Sequence, residues 1–164
     1  GFDCEVLAYD TYRNEAAASD LNVRFADLNE ILTTCDAISV HLPYNKDTDH
    51  LIGADVFNKM KPDSILVCTA RGKIVDEDAL YEALVSHKIG GAGLDVYAVE
   101  PLPTDSKLIG LDNIVLTPHV SSQTYESIWA TYKKGVDIVA DFFAGKELDR
   151  SDLLNPDYAQ NARK

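Results

Sequence analysis

Arg71, Glu100 and His119 are the residues of this chain whose types and spacing could do chemistry. Each follows a short apolar run. Residues 64–70 lead into Arg71-Gly72, residues 91–96 lead through Asp95-Val96 to Glu100-Pro101, and residues 113–117 lead to Pro118-His119. An arginine presents a planar fork that matches a carboxylate. Histidine is the side chain best suited to proton transfer near neutral pH, and a neighbouring carboxylate fixes its tautomer and favours its protonated form. Clamp, acid/base and orienting acid together suit redox chemistry on a 2-hydroxy or 2-oxo acid. A fourth candidate, Asp10, closes the apolar run 5–10. A carboxylate at a strand end suits the ribose hydroxyls of NAD, and its charge opposes the 2′-phosphate of NADP.

These positions matter only if the runs before them are strands of one sheet. Residues 5–10, 37–42, 64–70, 91–96 and 113–117 are continuous apolar runs rather than alternating ones, the pattern of parallel strands covered on both faces. Helical spacing fills the gaps. Residues 27–34 carry Leu28, Ile31 and Leu32, and residues 76–87 carry Ala79, Leu80, Ala83 and Leu84 on one face. For the second of these, Asp76 is a natural N-cap, Glu77 and Asp78 suit the positive end of the dipole, His87 and Lys88 suit the negative end, and Gly90 is placed to stop it. A last helix over 122–143 puts Ile128, Tyr132, Val136, Val139 and Phe143 on one stripe before Gly145. Strands alternating with helices and no hairpin turns predict an α/β fold, a doubly wound parallel sheet of Rossmann type, with ligands outside the carboxyl ends of the strands.

Composition sets the frame. The 164 residues carry 15 Lys and Arg against 27 Asp and Glu, a net charge of −12, with 46% hydrophobic and 26% charged residues. That is globular rather than disordered composition for one domain with a real core. The negative charge argues against nucleic acid and against an anionic membrane as partners, and no apolar run is long enough to span a bilayer. Cys4, Cys35 and Cys68 are odd in number and far apart, so a reducing cytosol is expected rather than disulfides or structural zinc.

The stretch 66–101 (LVCTARGKIVDEDALYEALVSHKIGGAGLDVYAVEP) followed by 116–122 (LTPHVSS) resembles the D-isomer-specific 2-hydroxyacid dehydrogenases, and 40–52 (VHLPYNKDTDHLI) resembles a cofactor-side loop of the same family. The likeness runs from about residue 6 to residue 156 and is nearest to the 3-phosphoglycerate and hydroxypyruvate dehydrogenases. It implies that Arg71 binds the substrate carboxylate, His119 exchanges the proton and Glu100 is its paired acid. Asp10 would take the adenosine ribose of NAD, with Leu42, Pro43 and Thr48 on the adenine and ribose side. Thr69, Ala70, Arg71, Asp95 and the segment His119 to Ser122, including Ser121, would surround the nicotinamide. Relatives of this kind imply a cytoplasmic homodimer acting on a small 2-hydroxy or 2-oxo acid.

One family feature is not found. The Gly-rich turn GxGxxG should lie about 20 residues before the ribose acid, and only nine residues precede Asp10. The Gly-Gly-Ala-Gly run at 90–93 follows a helix and enters a strand, the reverse of the order that binds pyrophosphate. The expectation is a partial NAD-binding domain over 1–145, incomplete at the N-terminus, then a loose or remotely docked tail over 146–164 leading back to a substrate domain outside this chain. Taken alone, the 164 residues are expected to fold without dehydrogenase activity.

Each candidate also has a plainer reading. Asp10 could cap a short helix starting near Asn14, and Arg71 could pair with Asp76 or Glu77 at little energetic value. Glu100 could be ordinary loop chemistry, while His119, Ser121 or Ser122 could cap the long helix. His41 reads as a packed histidine, His50 and His87 as surface residues, and the cysteines as small buried hydrophobes. Two other functions share the fold: an NAD-sensing module like the family's transcriptional corepressors, and a truncated remnant without activity.

The charge of Asp10 carries a test. About 5 Å from a 2′-phosphate at an effective dielectric near 20, it costs NADP several kcal/mol before screening. The intact protein should therefore prefer NAD at least tenfold in kcat/KM, and Asp10→Ser should narrow or reverse that preference. Equal use of both cofactors by the parent would mean that Arg13, three residues on, governs this pocket.

Overall fold

The computed structural model describes residues 3–155 and 157, so Pro156 and residues 158–164 at the end of the expected tail lie outside the described residues. Contacts divide the chain into two compact units, Gly1–Ser121 and Ser122–Lys164. In the first unit the order is β1 (Val6–Ala8), α1 (Glu15–Asp20), β2 (Val23–Phe25), α2 (Leu28–Thr34), β3 (Ala37–Val40), α3 (Ala54–Phe57), β4 (Ile65–Cys68), α4 (Glu77–Val85), β5 (Gly91–Leu94) and β6 (Ile114–Leu116). All strand pairs are parallel. The Rossmann-like α/β class is as expected. The hydrogen bonding differs from the single sheet anticipated: β1 pairs with β2, and β3-β4-β5-β6 form a separate four-stranded sheet. β2 has no signal in the sequence because Val-Arg-Phe is too short to stand out from its surroundings.

Register explains the core. Rows Ile38–Leu66–Ala92–Ile114 and Val40–Cys68–Leu94–Leu116 lie across the four strands on one face, and all eight belong to or pack against the main hydrophobic cluster. Leu80 and Leu84 of α4, Phe57 of α3 and Leu32 of α2 complete that cluster, with Leu66, Leu80 and Leu84 at 0% exposure. Burial on this scale is the main stabilising term of the unit. The opposite face departs from expectation, since Ile65 and Val115 remain exposed although their runs read as covered on both sides. An apolar run records what a residue prefers; it does not say which element reaches it.

Helix ends follow local chemistry closely. Asn14 caps α1 by accepting from Ala17 N–H, Asp27 caps α2 from Glu30 N–H, and Asp76 caps α4 from Asp78 and Ala79 N–H. Asp10 is thus not the cap of α1. Gly90 does not end α4: the helix closes at Ser86, and His87 takes the left-handed conformation at φ 52°. Lys88 N–H then bonds back to Ala83 O at 2.8 Å, so local backbone bonding closes the helix at Ser86, ahead of the glycine. His87 and Lys88 consequently follow the last turn instead of lying in it.

In the second unit, α5 (Tyr125–Phe143) starts later than expected because Thr124, not His119, Ser121 or Ser122, accepts from Ser127 N–H as the cap. Gly145, at φ 68°, stops the helix as anticipated, with Lys146 N–H bonded to Asp141 O. The stripe of Ile128, Tyr132, Val136, Val139 and Phe143 forms, and every member is exposed. The described part of the tail is not loose. Arg150–Asp152 form a short 3-10 turn and Asp152 pairs with Lys134 of α5 at 2.6 Å. Among the described residues no helix is long and apolar enough to cross a membrane.

One glycine positions the site. A Cβ on Gly72 would lie 1.8 Å from Tyr97 O and 2.6 Å from Ala98 N, both backbone atoms. Gly72→Ala should therefore destabilise the protein by about 1–3 kcal/mol or more, by overpacking against a peptide that cannot rotate away. Urea unfolding measures it, and an unchanged midpoint would mean that the 72/97 approach is slack.

Candidate active site

β4, β5 and β6 are adjacent and parallel, so the segments carrying Arg71, Glu100 and His119 leave the same edge side by side. Two backbone bonds continue the ladder past the strands: Asp95 N–H to Cys68 O and Thr117 N–H to Leu94 O, each 3.0 Å. The Gly-Gly-Ala-Gly run enters and forms most of β5, so it is strand rather than a strand-to-helix turn.

His119 Nδ1 lies 2.8 Å from Glu100 Oε2. Both side chains are roughly half-exposed, at 45% and 37%, so the pair meets solvent while its geometry stays fixed. The hydrogen bond with His119 and a second from Tyr97 N–H at 3.0 Å hold the Glu100 carboxyl below the usual carboxylate range. Nδ1 is therefore the ring nitrogen engaged by the acid. His119 itself has φ 56°, a left-handed backbone that a non-glycine residue adopts only when its surroundings impose it.

The surroundings here are Asp95. This carboxylate is 3% exposed and accepts from Thr117 Oγ1 at 2.5 Å, Val120 N–H at 2.8 Å and Ser121 N–H at 2.9 Å. It thereby holds the chain on both sides of His119. Burial opposes its charge, but the bonds from Thr117, Ser121 and Val120 outweigh that and keep the carboxyl well below its ordinary range. Asp95 thus serves the geometry of the His119 segment, with its oxygens already occupied by protein donors.

Arg71 is exposed, and its Nη1 donates to Ala70 O at 2.6 Å, so the pairing with Asp76 or Glu77 does not form. Asp76 caps α4, and Glu77 accepts Ala98 N–H at 2.6 Å. Thr69 and Ala70 are half-buried between β4 and Arg71. Cys68 faces the core at 0% exposure, and burial pushes its thiol up, leaving it neutral. The other two cysteines depart from the buried reading: Cys4 is exposed and Cys35 half-buried, and all three are free.

Asp10 lies two residues beyond β1, exposed, with one oxygen accepting Tyr12 N–H at 2.8 Å. That turn places the carboxylate outside the strand end, as an acceptor of the kind ribose hydroxyls require. The Arg13 guanidinium lies over the Phe25 ring, 5.5 Å from its centroid. The loop 43–50 is organised by Thr48, whose hydroxyl donates to Pro43 O and accepts from Asn45 N–H, both at 2.8 Å. Leu42 anchors it against the core while Pro43 is exposed. Backbone bonds from His50 to Lys73, Ile52 to Ile74 and Asp76 to Ile52 then join this loop to the Arg71 segment. His41 is exposed rather than packed, with Nε2 2.8 Å from Ser39 Oγ. His50 and His87 are surface residues, as expected. Ser121 and Ser122 are exposed.

Tyr97, Thr117 and the anchoring use of Glu77 escaped the sequence reading. A buried tyrosine, a strand-end threonine and a first-turn glutamate each have an adequate local explanation, and the contacts that matter are about twenty residues away in the chain.

Residues 1–121 match the family model described as D-isomer specific 2-hydroxyacid dehydrogenase, NAD binding domain. The chain is 42% identical over 157 residues to glyoxylate/hydroxypyruvate reductase B of Pectobacterium carotovorum, covering 95% of this chain and 48% of that protein. It is 43% identical over 150 residues to hydroxypyruvate reductase of Thermotoga maritima, covering 90% and 46%. Among solved structures, D-lactate dehydrogenase with NAD+ from Lactobacillus jensenii superposes with a TM-score of 0.81 at 34% identity, covering 88% of this chain and 47% of that one. The chain thus spans about half the length of these relatives.

The burial of Asp95 generates a test. A depressed carboxyl contributes stability above its unfolded value near pH 4 and loses it as pH falls toward the folded value. Asp95→Asn, which sets an amide N–H against a donor, should cost about 1–3 kcal/mol near neutral pH. In urea unfolding the gap between parent and variant should narrow from about pH 4 downward. A gap constant down to pH 2 would show that charge is not what holds the segment.

Proposed function

Because the chain belongs to the D-isomer-specific 2-hydroxyacid dehydrogenase family, as an NAD-binding domain, we propose that the protein interconverts a small D-2-hydroxy acid and its 2-oxo acid. The observation that carries this reading is the 2.8 Å contact between His119 Nδ1 and Glu100 Oε2 at the edge from which Arg71 also projects. Arg71 would hold the substrate carboxylate so that the 2-carbon faces the nicotinamide, which is catalysis by positioning. His119 Nε2 would take the hydroxyl proton during oxidation and return it during reduction. Glu100 would keep the ring in the required tautomer and stabilise its protonated form.

NAD, when bound, supplies the hydride chemistry. Asp10 would hold its adenosine ribose, with Leu42, Pro43 and Thr48 beside the adenine and ribose. Thr69, Ala70, Ser121 and Ser122 would border the nicotinamide, and Asp95 would hold the His119 segment through Thr117, Val120 and Ser121. Hydroxypyruvate and glyoxylate are the first substrates to try, given the names of the relatives above. Three free cysteines fit a reducing cytosol, and the family likeness supports a homodimer.

The experiment is steady-state kinetics on the full-length protein with NAD(H). His119→Ala should lower kcat by about 10²–10⁴-fold, as for a lost general acid/base. Glu100→Gln should mainly shift the pH–rate profile toward lower pH, since the carboxylate no longer favours the protonated ring. An unchanged profile would mean that the contact is structural, and a parent that turns over no 2-oxo acid would overturn the whole reading.

A further inference from the structure

Tyr97 touches all three segments that carry the candidate catalytic side chains. The residue is 6% exposed, and each of its polar groups meets a different neighbour. The backbone N–H donates to Glu100 Oε1 at 3.0 Å. The backbone carbonyl lies so close to Gly72 that no Cβ fits between them. The phenol hydroxyl lies 2.8 Å from Thr117 O and 3.1 Å from Leu94 O. A phenol has a single hydrogen to give, so the shorter contact, Thr117 O, is the principal acceptor. That carbonyl also accepts His119 N–H at 3.0 Å. Burial pushes the Tyr97 phenol up, which keeps the hydroxyl a donor at any working pH. The next peptide is anchored independently, because Ala98 N–H donates to Glu77 Oε1 of α4 at 2.6 Å.

We propose that the Tyr97 turn, fixed by its own hydroxyl and by Glu77, is a positioning element that sets Glu100 and His119 at their working separation. The two side chains belong to segments 19 positions apart and meet in their mutual contact. Tyr97 adds a second connection: its N–H orients one member of the pair and its hydroxyl holds the carbonyl to which the other member's backbone is bonded. Glu77 prevents the turn from swinging away from α4 as a body. The fold does not need the hydroxyl, because Leu94 O retains Thr117 N–H and Thr117 O retains His119 N–H. Tyr97 and Glu77 touch no reacting atom; they act through the pair.

This inference rests on reading Glu100 and His119 as the acid/base pair, and the test separates the two. In the full-length protein, Tyr97→Phe should lower kcat by about 3- to 30-fold, leave KM for NAD near the parental value and displace the pH–rate profile. Carbon-13 NMR of the glutamate carboxyls should show Glu100 titrating closer to an ordinary carboxylate than in the parent. Glu77→Ala should do the same, and Glu77→Gln, which keeps an acceptor oxygen, should restore the parental behaviour. A lowered melting temperature with kcat, pH profile and Glu100 titration unmoved would make Tyr97 merely structural and overturn the proposal. So would a fall in kcat with the Glu100 titration unchanged. Should Tyr97→Phe fail to fold, the Glu77 pair decides by the same readouts. If the parent shows no turnover, the dehydrogenase reading falls while the Glu100 titration still judges the role of Tyr97.

Discussion

A buried carboxylate, Asp95, is the interaction on which the geometry of the candidate site depends. At 3% exposure it has given up water and takes its hydrogen bonds from Thr117, Val120 and Ser121 instead. An ionised group in such a place is stable only while each donor stays aimed at it. Residues 117 to 121 therefore have little freedom, and His119 in their midst is held in a left-handed conformation that its own preference would reject. The charge of one strand end dictates the backbone of the next.

From that fixed segment the remaining parts can be placed in turn. His119 meets Glu100, Glu100 is oriented by Tyr97, and Tyr97 lies against Gly72 beside Arg71. The loop 43–50 is tied to the Arg71 side by the backbone bonds of His50 and Ile52. Three adjacent parallel strands make these short ties possible, since neighbouring strands lie about 4.8 Å apart and their loops emerge within side-chain reach. The apolar core beneath, with Leu66 of β4 and Leu80 and Leu84 of α4 fully buried, keeps the strand ends from shifting relative to one another.

The same chain leaves apolar surface where patterning predicted cover. Ile65 and Val115 on one face of the four-stranded sheet, and the stripe from Ile128 to Phe143 on α5, are exposed. Both patterns are legible as periodicity, and periodicity states a preference for burial without naming what satisfies it. The candidate site differs: Glu100 and His119 are polar and bonded to each other past the strand ends.

Local interactions let the sequence by itself determine much of this protein. The cap at Asp76, the turn of the chain at Gly145, five of the six strands and the placement of Arg71, Glu100 and His119 past successive strands follow from propensities and spacings within a few residues. Motif resemblance then supplied the chemistry. Tertiary structure alone decided the division into two sheets and the use of Asp95, Tyr97 and Glu77 as anchors. The physical reason is range. A cap or an apolar period is satisfied by neighbours along the chain, whereas a carboxylate bonded to residues 22 to 26 positions away acquires its role only once the strands between are paired.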